Sequence, residues 1–536
     1  MTVGNANKFN IKSIAVIGAG PSGIASLHEL TRVTKSGESL FGLDDVSKYE
    51  KNGELAFDKV VAFERNSTVG GVWCKSAFAE NNVDPNLPKI YQKTSDELDK
   101  LDFSNPTETY QKTPIDEELE KKLDSSSFEK PVSIPVNKKL ETIINNQWRS
   151  SAAYNHLFTN VTNRYMIFSF NDIVGQELDD LNHKYEHLLN LQSARDVSDY
   201  LEKTAEKKDL KKYIRFNTNV ERVKKLDNGK WEVIVSYESK NENGEKFINW
   251  YKEYFDAVII GNGKTVPIIP KIKNLFKFAE VNKDKVIIKL AKSIQDTEFL
   301  RNAKKPLFIG SSVSSVDLIQ YCYPRDLENP SIYISRRSPT SPHNWITFAT
   351  YSKGIVNKPE IAEFLPETNS VKFIDGTVES DFDAIVICTG YHKYYPFLDQ
   401  SFTEKHKEEA INFYKYTFSI GDPTLALVGN EYAGFFFNRV ESQAAALAGV
   451  WNNTSFLPPK EEQIETNKNR PSLSSGLINP NFITPLIDLA PKGRPHPFVI
   501  NKEKSDHVAH SAQGHFVIQD VFFKVRDGKL DPFKIV

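Results

Sequence analysis

The sequence predicts an α/β fold with two Rossmann-like dinucleotide-binding domains, the smaller inserted in the larger. Three observations predict it. The apolar run Ser13-Ile14-Ala15-Val16-Ile17 leads into Gly18-Ala19-Gly20-Pro21-Ser22-Gly23. A second apolar run, Pro306-Leu307-Phe308-Ile309, leads into Gly310-Ser311-Ser312-Val313-Ser314-Ser315. Two similar segments, "FDAVIIGNG" from Phe255 and "FDAIVICTG" from Phe382, suit the places where a chain leaves one nucleotide-binding domain and returns. The expected division is 1–265, then a smaller domain at 266–378, then 379–536 as the second part of the larger domain with a C-terminal extension.

The first run reads as a buried strand turning into a helix that carries Ile24, Leu27 and Leu30. Gly18 allows the tight turn, Gly20 lets backbone approach a pyrophosphate, and Gly23 lets helix and strand pack closely. With Pro21 and Ser22 they would seat phosphate oxygens on the N–H groups of the helix N-terminus. The next strand, Lys59 to Phe63, ends in Glu64, whose carboxylate can accept ribose hydroxyls. It follows Gly23 by roughly twice the usual ~20 residues. The polar stretch 36–53 accounts for the excess as a surface insertion. Gly70-Gly71-Val72-Trp73 follows.

Residues 81–145 are rich in Lys, Glu, Ser, Asp and Pro and show little periodicity. They read as a partly ordered insertion without functional weight. Arg195 to Lys212 reads as an amphipathic helix. Ile214-Arg215-Phe216 and Trp231 to Val235 read as strands of a β-meander turning at Asn228-Gly229.

The second glycine loop keeps Gly310 and carries serine at the other two glycine positions, Ser312 and Ser315. A small side chain still admits a phosphate. One strand further, Ile332 to Ser335 ends in Arg336-Arg337. An NAD site wants an acid there, and an NADP site wants arginine for the 2′-phosphate. The candidate NADP contacts are Gly310, Ser312, Ser314, Ser315, Asp317, Arg336 and Arg337. The alternative is a fold relic with a surface arginine pair.

The 536 residues suffice for two to four domains with ample core. A net charge of −2 gives no strong field for nucleic acid or anionic membrane. The three cysteines, Cys74, Cys322 and Cys388, are widely spaced, which argues against a disulfide framework or a metal site; Cys322 and Cys388 read as core residues. With the loop starting at residue 18, no signal peptide is expected. No stretch of about 18 apolar residues predicts a spanning helix, and Asp531 to Val536 matches no lipidation tail. The expected location is cytoplasmic, with peripheral association with the endoplasmic reticulum left open.

These motifs, taken in order, resemble the flavin-containing monooxygenase family, especially its fungal members. Gly18 to Gly23 resembles its FAD loop. Phe63-Glu64-Arg65 with Gly70-Gly71-Val72-Trp73 resembles its "ER…GGxW" segment, which implies that Gly71, Val72 and Trp73 lie by the flavin. Leu157-Phe158-Thr159-Asn160 through Met166 resembles "LxTNxPKxxM", which makes Asn160 the implied active-site asparagine and Thr159 its neighbour at the cofactor. Phe216 to Val223 resembles the segment that meets the FAD adenine at Val220. Thr389-Gly390-Tyr391 resembles "ATGY", and Leu427-Val428-Gly429 with Glu441-Ser442-Gln443 resembles "G…ExQ", adding Gln443 to the cofactor contacts. Two motifs depart. "TGHxxxP" reads Asn262-Gly263-Lys264-Thr265-Val266-Pro267, with lysine for histidine, and "FxGxxxH" is not recognisable, since Val286 to Ser293 carries no His.

The resemblance implies an FAD enzyme that is reduced by NADPH, forms a C4a-hydroperoxyflavin with O2, and oxygenates a soft nitrogen or sulfur of a small molecule. Asn160 would donate to the peroxide or hold the nicotinamide amide; read without the family pattern, it is a turn or capping asparagine. The alternatives are an uncoupled NADPH oxidase, an amine N-hydroxylase, or a non-catalytic FAD-binding protein. A homodimer is left open. His392, His510 and His515 could line a pocket, though isolated histidines more often sit at the surface or satisfied in a core.

Overall fold

The computed structural model describes residues 8–75, 93–145, 147–149, 151–171, 180, 184–341, 344–399, 412–430, 435–469, 480–497 and 507–536. Among them the strands form four sheets. The first has Ser13–Ile17 at its centre, paired in parallel with Lys59–Phe63 on one side and Ala257–Ile260 on the other. The central strand is VIL-rich and buried, as a strand covered on both faces must be. Leu425–Leu427 extends this sheet beyond Ala257–Ile260, so chain from before and after the second domain meets in one sheet.

The second sheet is parallel, in the spatial order Ile355–Lys358, Ile332–Ser335, Pro306–Ile309, Ala384–Ile387, Ile287–Leu290. It therefore keeps Ala384–Ile387, which lies past the boundary expected at 378. Ala384–Ile387 pairs on both sides inside this sheet, and the chain returns only after Cys388.

Two other expectations are corrected. Ile214–Arg215 pairs in parallel with Lys59–Phe63 in the first sheet, not in the meander. The meander is Thr218–Lys225, Trp231–Lys240 and Lys246–Phe255, and Gly229 takes φ +81 in its turn. A two-residue strand has too short a pattern to declare its sheet. The second correction concerns 81–145. Its described part is built: Val132–Pro135 adds a fourth strand to the meander, and Leu119, Leu123 and Ile144 share a core with Ile234, Ile248 and Trp250. Residues 81–92 lie outside the described residues. The stretch 36–53 is clasped to the body by Lys492, which exchanges backbone hydrogen bonds with Ser39 and Gly37 at 2.8 and 2.9 Å.

The helix Pro21–Leu30 is buried along its whole length, because Phe436–Trp451 packs across it. Ala194–Lys207 starts in a capping box, with the Ser193 and Asp196 side chains each bonding the other's N–H. His507–Arg526 lays Ile518, Val521, Phe522 and Val525 into the core on one face of the second sheet. Among the described residues no helix is long and apolar enough to cross a membrane.

Candidate active site

The two motifs at the start of the chain close on each other. Gly18 has φ +96, and a Cβ on Gly23 would stand 2.0 Å from the Gly18 carbonyl oxygen, so only glycine lets helix meet strand there. Gly71, at φ +60, presses its backbone on Gly20: a Cβ on Gly71 would come within 3.0 Å of the Gly20 Cα. Glu64 is buried at the end of its strand. Its carboxylate accepts the Ala19 N–H at 2.7 Å and the Asn66 N–H at 2.8 Å, and burial raises its pKa.

These residues line a cavity of about 410 Å³. Gly18, Gly20, Pro21, Ser22, Glu64, Gly71, Val72, Trp73 and Val220 are all in its wall, as is the buried Cys74. Gly23 stands behind the wall. The donor set fits a dinucleotide: a glycine cradle, the N–H groups of a helix first turn, a buried carboxylate at the end of the next strand, and an exposed Val72 in the wall.

Sequence reasoning missed part of this wall. Tyr110, Arg149, Ser151 and Ala152 line it from in and just after the 81–145 stretch. The Ser151 hydroxyl donates to the Val72 carbonyl, and the Tyr110 ring meets Tyr394 edge-on at 6.2 Å. Arg149 pairs with Glu238 at 2.6 Å and, with Arg65 and Asn219, also borders a polar cavity of about 280 Å³. There the half-buried Glu221, its pKa raised by desolvation, accepts Ser236 and Asn219. No local pattern announces these residues, because they come from a segment folded to cover a site, not to make a loop. The wall also takes Lys264 and Lys292. Lys264 stands where the family motif has histidine, and Lys292 comes from the stretch where the other motif was not recognisable.

Other candidates stand apart from this wall. Thr159 pairs with Gln192, its N–H donating at 2.8 Å and its hydroxyl accepting at 3.1 Å. Gly514 of the C-terminal helix packs on the Asn160 backbone, where a Cβ would stand 3.0 Å from the carbonyl oxygen. Gln443 is fully buried; it accepts the Gly429 N–H at 2.9 Å and donates to Thr417 at 3.0 Å. It thus positions Gly429, which lines the cavity. His392 is not in the wall, and burial lowers its pKa. The His515 ring lies 5.8 Å from Trp345. The His510 side chain lies outside the described residues.

The second loop repeats the first with a difference. Gly310, at φ +108, packs on the Cys388 carbonyl. Ser315 sits where Gly23 has no side chain, and its hydroxyl donates to the Gly310 carbonyl at 2.7 Å. The serine thus replaces bare backbone contact by a hydrogen bond. Ser312 is exposed and Ser314 half-buried at the start of the helix Val313–Ile319. Desolvation pushes the Asp317 carboxyl up to about 7. The arginine pair divides. Arg336 is buried, bonded to the Ser338 carbonyl, Asn357 and Thr350, and lies over the Tyr351 ring at 4.7 Å. Its Nη2 is buried without a partner. Arg337 is exposed. One helix N-terminus, a buried spare donor and an exposed guanidinium fit a phosphorylated dinucleotide.

A family model described as "FMO-like: Flavin-binding monooxygenase-like" matches residues 112–333 and 349–477, more than half of the chain.

The chain belongs to the flavin-binding monooxygenase-like family.

It is an oxidoreductase, a flavoprotein monooxygenase that uses FAD and NADPH. The flavin-containing monooxygenase iboF of Amanita muscaria is 25% identical, the match covering 86% of this chain and 82% of that protein. Among solved structures, Tmm from Pelagibacter sp. superposes with a TM-score of 0.56 at 20% identity, over 96% of this chain and 90% of that one. S-allyl-L-cysteine S-oxygenase from Allium sativum gives 0.55 at 19% identity, over 96% and 100%. These two superpositions bear on the fold alone: two nucleotide-binding domains in one chain.

Proposed function

We propose that this chain is an NADPH-dependent monooxygenase that oxygenates a soft nitrogen or sulfur centre of a small molecule, by way of the C4a-hydroperoxyflavin that the resemblance implies. One observation carries the reading. A single cavity joins the FAD loop and the Gly71–Trp73 turn to the junction of the two domains, where Gly261–Thr265, Lys292 and Tyr391 line it. A dinucleotide lying along the first sheet would bring its far end to where the second domain can present a nicotinamide.

The bound cofactors supply hydride transfer and O2 activation. In the net reaction NADPH, a proton, O2 and an amine or thioether give NADP+, water and the N- or S-oxide. The chain's residues bind and shield. Gly18, Gly20 and Gly71 admit the cofactor backbone, and Glu64 fixes the loop through Ala19 and faces the ribose. Trp73, Cys74, Tyr110 and Phe436 wall the cavity against water. Arg337 takes the 2′-phosphate of NADPH, with Gly310, Ser312 and Ser314 at the pyrophosphate. Asn160 is the amide donor at the reacting end; that role rests on the family motif. The reading includes a cytoplasmic location and a homodimer, the latter checked by sedimentation of the holoprotein.

Lys264 in place of the motif histidine favours a second reading, an oxidase that returns its electrons to O2 as hydrogen peroxide. Stoichiometry separates the two. A monooxygenase consumes one NADPH and one O2 per oxide formed and releases little peroxide. Peroxide equal to NADPH consumed, with every amine and thioether tried, would refute the proposed function.

A further inference from the structure

In a dinucleotide the base lies one sugar beyond the pyrophosphate. With the pyrophosphate at Gly18–Gly23 and Glu64 facing the ribose, the base falls where Arg65, Asn219 and Val220 continue the wall. Tyr110 stands at this end. The charges that act on its hydroxyl are those of Glu221, Arg65 and Arg149, and all three border the neighbouring polar cavity. Its ring packs on the core at the domain junction and lies edge-on to Tyr394 at 6.2 Å. It is only half-buried, and it lines the main cavity.

The chain around Tyr110 is held firmly. The Trp148 indole donates to the Thr109 carbonyl at 2.7 Å, and the Gln147 amide donates to the Thr113 hydroxyl at 2.8 Å. Trp148 is fully buried at φ +52, a left-handed conformation that a bulky side chain avoids. Such strain persists where the surroundings over-determine it, and it gathers at binding sites. The next residue, Arg149, lines the cavity. Further out, the same segment is moored to both domains. Asp99 accepts the Phe276 and Lys277 N–H groups at 2.9 and 3.0 Å, and Leu98 and Phe103 share a core with Leu275 and Ile288. On the other side Glu120 bonds Arg222 of the meander at 2.7 Å. Tyr110 lies between these two moorings.

We propose that Tyr110 is a cofactor-binding residue whose ring stacks on the adenine of FAD, and that residues 93–145 and 147–149 are the clasp that holds it there. A purine offers a broad π-face, and a ring already fixed by its neighbours loses little freedom in meeting it. Stacking of this kind is worth about tenfold to a hundredfold in affinity. The inference rests on the seat given above to the pyrophosphate and not on the reaction that the flavin performs. It gives the insertion a function in retaining FAD.

The test reloads the deflavinated full-length protein with FAD or with flavin mononucleotide, which carries the flavin but no adenosine, and reads affinity from flavin fluorescence. Tyr110→Leu should weaken FAD by about tenfold to a hundredfold and leave the mononucleotide within about twofold. Tyr110→Phe, which keeps the ring, should hold FAD within about threefold. On the unaltered protein, hydroxyl-radical footprinting read by mass spectrometry should show Tyr110 protected by FAD and not by the mononucleotide. That measurement decides the matter even if Tyr110→Leu does not fold. Equal losses of both flavins in Tyr110→Leu would make Tyr110 a structural residue and overturn the inference. So would an unchanged FAD affinity, a loss in Tyr110→Phe as large as in Tyr110→Leu, or equal protection by the two flavins. An unaltered protein that binds both flavins equally would sink the pyrophosphate seat and the inference with it. Whether NADPH bleaches the flavin is read separately: bleaching with no role for Tyr110 sinks only the adenine stack, and failure to bleach sinks the monooxygenase reading.

Discussion

The Glu64 carboxylate accepts the N–H of Ala19 at 2.7 Å, so the residue assigned to the ribose also fastens the loop assigned to the pyrophosphate. Its second oxygen holds Asn66 at 2.8 Å. Removing the carboxylate leaves buried N–H groups unsatisfied, at about 1–3 kcal/mol. Glu64→Ala should therefore raise the Kd for FAD by roughly 10- to 100-fold and lower the Tm of the apoprotein as well. Flavin fluorescence on release and a thermal melt measure the two effects. An unchanged apoprotein Tm would mean that Glu64 serves the cofactor alone.

Gly71 tests the contact between the two opening motifs. A Cβ there would press on Gly20 Cα at 3.0 Å from a left-handed backbone. Gly71→Ala should cost about 1–3 kcal/mol through backbone strain and weaken FAD retention during gel filtration. Gly42, also left-handed, meets nothing within 4 Å. Gly42→Ala carries similar strain without the clash, so it should leave FAD bound.

Arg494 is sandwiched between Glu29 and Glu441, at 2.8 Å from each, all three essentially without exposure. It ties the C-terminal region to the helix after the FAD loop and to the helix packed across it. Arg494→Met would strand two buried carboxylates and should cost about 3–5 kcal/mol, seen in denaturant melts. The cluster also sets a pH dependence. Desolvation raises Glu441 from 4.5 to about 7. Between those values the native protein keeps a proton that the unfolded chain has lost, so stability falls as pH rises, by at most about 3 kcal/mol. Glu29 is held down at about 2, chiefly by Arg494 against its own desolvation; its contribution is lost as pH falls from 4.5 toward 2. Glu441→Gln should reduce the slope between pH 4.5 and 7, where Asp317 also contributes, and leave the acid limb in place.

The arginine pair should separate by role. Arg337 is exposed, and Arg337→Ala should weaken NADPH binding by about 10- to 100-fold while leaving NADH unchanged, the loss of a charge-assisted phosphate contact. Arg336 is bonded to Ser338, Thr350 and Asn357, so Arg336→Ala should lower the Tm as well. Isothermal titration with both nucleotides and a melt distinguish the two. Equal losses for NADH and NADPH in Arg337→Ala would remove the 2′-phosphate assignment.

The parts of the site visible in the sequence are those where backbone geometry restricts residue type. Gly18, Gly23 and Gly71 could be read because a side chain does not fit. Glu64 could be read because a strand end beside a glycine loop has one use for an acid. Tyr110, Arg149 and Lys292 could not, since their positions depend on how distant segments fold over the cavity, and a lone tyrosine or lysine carries no local pattern. The same reason hid the placement of Ile214–Arg215: two residues bear no periodicity, and only pairing with Lys59–Phe63 decides their sheet. Gln443 shows the converse. Its motif was visible, but its contact is with Gly429, one step behind the wall.

The central claim is that electrons pass from NADPH to the flavin in the cavity joining the two domains. It is tested most directly by titrating the FAD-loaded protein with NADPH in the absence of O2 while recording the flavin absorbance. The account predicts that the oxidised flavin band bleaches with one equivalent of NADPH and returns when O2 is admitted. A flavin that stays oxidised under excess NADPH would contradict it and leave the chain an FAD-binding protein without this chemistry.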